Sequence, residues 1–200
     1  EQVDILMIGP FTNLALALRL EPAIVAGIGQ LTIMGGTVYG RGNTTPAAEF
    51  NVLADPEAAQ IVFTCGADTL IAPWEPCTTH FMTGEEMEAL FVGLPDTPYQ
   101  RLCIDLARHA REVAVGYGRG DLFSFVDPLA AAAVIEPGIV TKSVTASIDV
   151  ALAPGITRGM CVVDPSGRLG TPRVTLIEEA KLDRLVALYA QSVAYRPGKN

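Results

Sequence analysis

Short apolar segments alternate with helix-start signals along the first 72 residues of the chain. Residues 3–8, 31–34 and 68–72 are rich in Ile, Leu, Val and Met, as expected of strands. Residues 14–18 and 56–63, between them, have helical patterns; the second follows an Asp that can cap it and starts with a Pro that suits its first turn. This alternation is typical of a parallel sheet with helices on its faces. The apolar run at 3–8 predicts a strand buried on both faces.

The rest of the chain adds helices and, after residue 143, further strands. Turn-forming residues 164–167 separate two strand-like segments, 159–163 and 173–177, so we predict a hairpin there. The other predicted elements are a short extended segment at 49–53, helices at 84–91, 98–115, 127–135 and 181–194, and a strand at 145–152. Together they predict an α/β fold: a mostly parallel open sheet flanked by helices, with a C-terminal strand hairpin and a terminal helix. We find no linker or repeat and predict a single domain, 1–200.

Composition and charge exclude several classes of protein. Fourteen basic and 22 acidic residues give a net charge of −8, whereas a protein that binds nucleic acid needs a cationic face. Half of the residues are hydrophobic and 18% are charged, which argues against disorder. No apolar run approaches the roughly 20 residues of a membrane helix, and residues 1–30 lack the pattern of a secretory leader. Four scattered cysteines without a CxxC pair suit a reducing compartment, so we expect a cytoplasmic protein without nucleic-acid or membrane partners.

The densest cluster of polar residues lies at 42–51, after the second predicted strand. If this part of the chain is extended at 49–51, Glu49 and Asn51 point to one face and Phe50 to the other. A carboxylate beside an amide offers acceptors and donors to a polyol, and Asn43 on the glycine-flexible loop can supply a third group. Open α/β sheets bind ligands at the carboxyl ends of their strands, where this loop lies. The alternative is that Glu49 and Asn51 only pair with the backbone of the loop.

Three further features have both a functional and a structural interpretation. Asp127 precedes a proline, so it is either a functional carboxylate or a helix cap. The glycine pair at 35–36 follows a strand and could let a phosphate approach, although no GxGxxG or GKS/T pattern follows. The glycine-rich segment 116–120, which carries Tyr117 and Arg119, is either a lid over a pocket or a simple loop.

Several of these segments, taken in order, resemble the inosine-uridine preferring nucleoside hydrolase family. The order and spacing of the matching blocks make the resemblance specific, and it covers nearly the whole chain. The blocks are Ile8-Gly9-Pro10-Phe11-Thr12-Asn13-Leu14-Ala15, Ile33-Met34-Gly35-Gly36, Gly42-Asn43 to Glu49-Phe50-Asn51, Asp55-Pro56-Glu57-Ala58-Ala59 and Asp127-Pro128-Leu129-Ala130. The resemblance implies a Rossmann-like nucleoside hydrolase fold. It also implies hydrolysis of the N-glycosidic bond of ribonucleosides to ribose and a free base, as in the salvage of purines and pyrimidines.

The same resemblance implies a bound Ca²⁺ that holds the nucleophilic water and two ribose hydroxyls, and a transition state like a ribosyl oxocarbenium ion. Calcium prefers carboxylate, carbonyl and hydroxyl oxygens, and it lowers the pKa of its water. Carried over, the main-chain carbonyl of Ile8 and the carboxylate of Asp127 would be calcium ligands, and Asp127 and Asn51 the catalytic residues. The residues implied to hold the ribose hydroxyls or to line the pocket are Asn43, Glu49, Asn51, Met34 and Phe50, with Val126 beside the base.

The chain departs from the family pattern in two places. No aspartate-rich DxDxxxDD motif, which supplies further calcium ligands and the general base, occurs in these 200 residues. We therefore expect an N-terminally incomplete domain that is inactive by itself; the alternative is a non-catalytic relative or subunit that binds a ribosyl ligand. Val126 stands where many members have a histidine that helps to protonate the leaving base, and an aliphatic side chain cannot donate a proton. We expect a small ribonucleoside as ligand and a homo-oligomer, dimer or tetramer, as the assembly.

Overall fold

The computed structural model describes residues 2–196, which surround a six-stranded sheet. The strands are β1 (Val3–Met7), β2 (Ile28–Met34), β3 (Thr69–Ala72), β4 (Phe81–Thr83), β5 (Leu122–Ser124), β6 (Val140–Val150), β7 (Cys161–Asp164) and β8 (Arg173–Ala180). The α-helices are α1 (Thr12–Leu20), α2 (Phe50–Ala54), α3 (Pro56–Phe63), α4 (Trp74–Thr79), α5 (Gly84–Phe91), α6 (Pro98–Gly116), α7 (Asp127–Ile135) and α8 (Leu182–Ala194). Two short 3-10 helices, Pro22–Gly27 and Pro137–Ile139, precede β2 and β6.

The strands of the large sheet lie in the order β1-β2-β3-β8-β6-β7. The pairs β1–β2, β2–β3 and β3–β8 are parallel, whereas β6 runs antiparallel to both β8 and β7. Strands β4 and β5 form a separate antiparallel pair. The predicted α/β class is confirmed, because the sheet is mostly parallel and helices flank it. The carboxyl ends of β2 and β3 lie side by side, since Met34 pairs with Ala72.

The C-terminal hairpin is a wrong prediction. Strands β7 and β8 do not pair with each other, because β6 lies between them and Ser147 pairs with Asp164 on one side and Arg173 on the other. The predicted turn is therefore part of a longer connection that crosses the end of β6. Hydrogen bonds hold this crossing: the Ser147 hydroxyl donates to the Thr171 carbonyl (2.9 Å), and the Thr171 hydroxyl donates to the Ile148 carbonyl (3.0 Å).

The short extended segment predicted at 49–53 is also wrong, since residues 50–54 form helix α2. Glu49 alone is extended, with ψ 152°, and it caps the helix by accepting the backbone N–H groups of Asn51 and Val52. A side chain that satisfies the free N–H groups of the first turn favours the helix over a strand. The alternation of exposure nevertheless holds at this point, because Glu49 and Asn51 are buried and Phe50 is 55% exposed.

Strand β1 is an edge strand. The prediction from its apolar sequence, a strand buried on both faces, is wrong. Its only sheet neighbour among residues 2–196 is β2. Val3 and Leu6 are exposed, and Ile8, directly after the strand, is 50% exposed. Burial requires a covering element as well as an apolar sequence, and a strand with one neighbour lacks that element.

Two apolar cores fill the molecule. One core packs α1 and α3 on the sheet, and within it the rings of Phe11 and Phe63 meet with centroids 5.4 Å apart. The other core contains Met34 and Ala72, the last residues of β2 and β3, together with residues of α7 and α8. None of the helices described for residues 2–196 combines the length and the apolar character needed to cross a membrane.

Candidate active site

The glycine pair after β2 brings the backbone close to Glu49. The backbone N–H of Gly36 donates to the Glu49 carboxylate at 3.0 Å. Gly36 has φ +75°, and a Cβ on Gly35 would lie 2.8 Å from Cζ of Phe11. Only glycines allow this approach without strain or a clash. The N–H that a phosphate would use is therefore already bound to a carboxylate of the protein.

Glu49 is almost completely buried and accepts three backbone N–H groups. Besides Gly36, these come from Asn51 (2.9 Å) and Val52 (3.3 Å). Burial raises the pKa of Glu49, the three hydrogen bonds lower it, and the charge of Asp127 adds to the rise. The pairing of Glu49 with the loop backbone, left as an alternative by the sequence, is thus observed. It positions the carboxylate firmly at the carboxyl end of β2.

Asn51 lies beside Glu49 and closes the same cluster. Its Nδ2 donates to the carbonyl of Met34 at 3.1 Å and lies 3.4 Å from the Met34 sulfur. The structure therefore brings Glu49, Asn51 and Met34 together at the end of β2. Phe50 points away from them and is exposed.

Asn43 belongs to the loop on the other side of Phe50. Its Oδ1 accepts the backbone N–H of Phe50 (2.8 Å) and the hydroxyl of Thr44 (3.1 Å). Asn43, Phe50 and Val126 all line a cavity of about 590 Å³, a volume within the usual range for small-molecule sites. Asn43 and Phe50, predicted on the ribose side, and Val126, predicted beside the base, thus line one cavity.

Asp127 does not cap α7, so the structural alternative for this residue is wrong. Val126 holds the N-cap position without a capping side-chain hydrogen bond, and Asp127 is the first residue of the helix. Burial raises the pKa of the Asp127 carboxylate. Asp127 and Ile8 line a second cavity, of about 320 Å³, between β1 and the helices α7 and α8. The two predicted calcium ligands therefore line the same cavity.

The buried thiol of Cys77 is affected by the charges of both Asp127 and Glu49. The Cys77 sulfur lies 3.3 Å from the Pro73 carbonyl and 3.8 Å from the Val126 carbonyl. Burial, followed by the charges of Asp127 and Glu49, raises the pKa of this thiol strongly. The thiol is therefore not a nucleophile at neutral pH. The charge of Glu75 also raises this pKa, and the charge of Arg119 lowers it.

The donor set fits calcium only in part. Within residues 2–196, no three His, Cys, Asp or Glu side chains gather into a group that could hold a metal ion. Asp127 and the Ile8 carbonyl supply two oxygens, whereas calcium takes six to eight. These residues do not form a calcium site by themselves.

Sequence reasoning missed one residue beside this site, Trp74. Trp74 is the single tryptophan of the chain. It lies two residues after the end of β3 and lines the larger cavity with Arg119. Its backbone N–H donates to the carbonyl of Gly36 at 2.9 Å. A lone aromatic residue at the carboxyl end of a predicted parallel strand was the available signal.

Solved structures of similar fold define the class of protein. A plant nucleoside hydrolase superposes with a TM-score of 0.87 at 28% identity, over 96% of this chain and 62% of that one. A purine-preferring ribonucleoside hydrolase from Gardnerella vaginalis superposes with a TM-score of 0.81 at 25% identity, over 96% of this chain and 60% of that one. The architecture is therefore that of a nucleoside hydrolase.

Sequence comparison then gives the family. The chain is 33% identical to the pyrimidine-specific ribonucleoside hydrolase RihB of Escherichia coli, over 88% of this chain and 55% of that protein. A probable uridine nucleosidase 2 of Arabidopsis thaliana is 40% identical over 44% of this chain and 28% of that protein. Residues 1–187 match the inosine-uridine preferring nucleoside hydrolase family, and the chain belongs to it. It spans about half the length of RihB.

Proposed function

We propose that the protein hydrolyses the N-glycosidic bond of ribonucleosides, giving ribose and a free base. The observation that carries this proposal, beyond family membership, is the cluster of Glu49, Asn51 and Met34 at the carboxyl end of β2. Open α/β sheets bind their ligands at such ends. Phe50, which lies between Glu49 and Asn51 in the chain, lines the 590 Å³ cavity together with Asn43.

The residues of this chain would bind and orient the ribose. Glu49, Asn51 and Asn43 offer carboxylate and amide groups to its hydroxyls, and Met34 and Phe50 offer apolar contact. As the bond between C1′ and the base nitrogen breaks, its electron pair stays on the base and positive charge develops on the sugar ring. The carboxylates of Glu49 and Asp127 stabilise such charge electrostatically. Water then adds to C1′, and one of its protons ends on the base.

Calcium dependence is part of the proposal as the family resemblance implies it. Bound calcium would hold the attacking water and lower its pKa. Asp127 and the Ile8 carbonyl would contribute two of its oxygen ligands. A cytoplasmic location and a homo-oligomeric assembly stay predictions.

A second candidate function is binding of a ribosyl ligand without turnover. The incomplete set of metal ligands among residues 2–196 favours it for this chain. The two candidates differ in one measurable respect, since only the first releases ribose.

The test is release of reducing sugar from inosine and uridine by the full-length protein. Asn51→Ala should lower kcat/KM by about 100-fold or more, the usual effect of losing one positioned hydrogen-bonding group. Gln60→Ala is the matched control, because this α3 amide binds Asp149 (2.8 Å) and should change kcat/KM less than about twofold. Unchanged turnover in Asn51→Ala would refute the site. Nucleoside binding without ribose release would establish the second candidate instead.

A further inference from the structure

Helix α4 is held at its start by the loop that follows β2. The backbone N–H of Trp74 donates to the Gly36 carbonyl at 2.9 Å. One oxygen of the Glu75 carboxylate accepts the backbone N–H groups of Val38 (2.9 Å) and Tyr39 (2.8 Å). These three hydrogen bonds fix the first turn of the helix, and with it Trp74 in the lining of the larger cavity. They involve no residue of the segment that leads into α7.

The end of α4 is held by a different residue, His80. This histidine is the C-cap of the helix and is buried, with 8% of its surface exposed. With the proton on Nδ1, that nitrogen donates to the Pro76 carbonyl at 2.8 Å, and Nε2 accepts the backbone N–H of Ala180 at 3.1 Å. The Ala180 carbonyl lies 3.0 Å from Nε2, so a protonated ring also binds this residue. The imidazole therefore joins α4 to the last residue of β8.

The backbone of His80 connects this attachment to the candidate site. Its carbonyl accepts the N–H of Phe125 at 2.9 Å, and Phe125 is completely buried. The next two residues are Val126, which lines the larger cavity, and Asp127, which lines the smaller one. Earlier in α4, the Cys77 sulfur lies 3.8 Å from the Val126 carbonyl. The segment before α7 therefore packs on the end of α4, and His80 attaches that end to the sheet.

We propose that His80 is a positioning residue of this site, which holds the Asp127 carboxylate in place through Phe125. This inference rests on the proposed function, in which Asp127 stabilises the positive charge that develops on the sugar ring. Such stabilisation depends on distance and acts on the transition state. The Glu49 and Asn51 side chains that would bind the ribose have their own hydrogen bonds at the end of β2. Loss of the His80 bridge should therefore lower kcat and leave KM for the nucleoside nearly unchanged.

Two substitutions of His80 separate the bridge to β8 from the local contact within α4. The amide of His80→Gln reaches the position of Nε2 and can bind the backbone of Ala180. The shorter amide of His80→Asn reaches only the position of Nδ1, so it keeps the bond to the Pro76 carbonyl and leaves the Ala180 N–H without this acceptor. The inference requires that glutamine replaces the function of histidine and that asparagine does not. A histidine that only ends the helix would give the reverse order.

The kinetic experiment measures ribose release from inosine and uridine by the full-length protein. His80→Asn should lower kcat by about tenfold or more, because a displacement of about 1 Å can cost about 100-fold in rate. KM should change less than about twofold, and His80→Gln should keep kcat within about threefold. Thr78→Val is the matched control, because the Thr78 hydroxyl donates to the Glu75 carbonyl within α4 (2.7 Å) and its loss leaves the bridge to β8 intact. This variant should alter neither kcat nor KM.

A labelling experiment on the same proteins measures the attachment independently of hydrolysis. Cys77 and Cys161 are both buried, the first near the Val126 carbonyl and the second in the core that contains α1 and α3. In His80→Asn, N-ethylmaleimide should modify Cys77 about tenfold faster than in the wild-type protein, because the end of α4 opens locally. Cys161 should change less than about twofold, and His80→Gln should resemble the wild type. Mass spectrometry of the labelled peptides distinguishes the two thiols.

Several outcomes would overturn the inference. Unchanged labelling of Cys77 in His80→Asn would show that the side chain does not hold the end of α4. Equal acceleration at Cys77 and Cys161 would mean that His80 stabilises the whole fold. Equal kinetics of the Asn and Gln variants, or a rise in KM without a fall in kcat, would remove the positioning role. If the wild-type protein releases no ribose but Cys77 alone becomes reactive in His80→Asn, the proposed function fails and the attachment of the Asp127 segment to β8 stands.

Discussion

Replacing Glu49 by alanine tests how much of this residue's role is structural. Its carboxylate caps α2 through the N–H groups of Asn51 and Val52 and also binds the N–H of Gly36. The variant Glu49→Ala removes all three acceptors at once. Gly36 is buried, so water does not replace the acceptor that its N–H loses.

The expected loss of stability follows from the two kinds of hydrogen bond that Glu49 accepts, those of the helix cap and that of the buried Gly36 N–H. Loss of a helix N-cap costs about 0.5–2 kcal/mol, and a buried N–H without a partner costs about 1–3 kcal/mol. Removing a buried carboxylate, whose pKa is raised by burial, offsets part of this cost. We expect the free energy of unfolding to fall by about 2–3 kcal/mol.

The assay is urea unfolding followed by circular dichroism, with Thr83→Ala as the control. Thr83 caps α5 in an exposed capping box with Glu86, and among residues 2–196 its side chain has hydrogen bonds only to Glu86. Its loss should cost only the cap, about 1 kcal/mol. If Glu49→Ala destabilises the protein no more than Thr83→Ala does, the bond from Gly36 contributes nothing and the reasoning is refuted.

Three further predictions follow from contacts of the site. Burial raises the pKa of Glu49 in the folded protein. Its contribution to stability is therefore complete below the ordinary pKa of glutamate and is lost as pH rises through the raised pKa. Urea unfolding across this pH range should show the decrease in stability, and Glu49→Gln should remove most of that pH dependence. Gly36→Ala should cost about 2 kcal/mol or more in the same assay, because of its φ of +75° and a Cβ placed 2.9 Å from the Cys161 sulfur. Gly66→Ala, at φ +87° with no atom within 4 Å of the added Cβ, should cost less, and an equal cost would remove the contact argument. Val126→His should raise kcat/KM on inosine, whose base leaves poorly, and leave 4-nitrophenyl riboside unchanged, since that leaving group needs no proton; equal effects on both would make Val126 a packing residue.

Locally determined elements are the part of the fold that the sequence predicted well. Asp55 caps α3 by accepting the N–H of Ala58 at 3.0 Å, as its position before Pro56 indicated. Helices α5 and α7 begin and end at the predicted residues. In each case the signal and the structure lie within one or two helical turns.

Pairing between distant segments could not be predicted in the same way. Two strand-like segments joined by a good turn favour a hairpin. Nothing in residues 159–177 shows that β6 will lie between β7 and β8 and pair with both. The choice depends on β6 having eleven residues, with Ala146, Ile148 and Val150 buried in the core. That burial is a property of the whole sheet.

In the candidate site, too, the sequence predicted local features and did not predict contacts between distant segments. The polar residues of the loop at 42–51 gave Asn43, Glu49 and Asn51, but the sequence could not show that Glu49 caps a helix and also reaches back to the end of β2. Trp74 and Arg119 are far apart in the chain and meet only because α4 and β5 pack together. A site formed by several strand ends is predictable in its residue types and not in its contacts.

The backbone of Gly36 forms hydrogen bonds to both Glu49 and Trp74. Its N–H donates to the Glu49 carboxylate, and its carbonyl accepts the N–H of Trp74 at the start of α4. One peptide unit on each side of a single residue therefore links Glu49 to Trp74. Because a displacement of about 1 Å can cost about 100-fold in rate, a side chain at Gly36 should disturb sugar and base binding together. In the proposed function, the backbone after β2 therefore helps to place the residues that bind a nucleoside. The positive φ of Gly36 and the close approach of Phe11 to Gly35 account for the two glycines there.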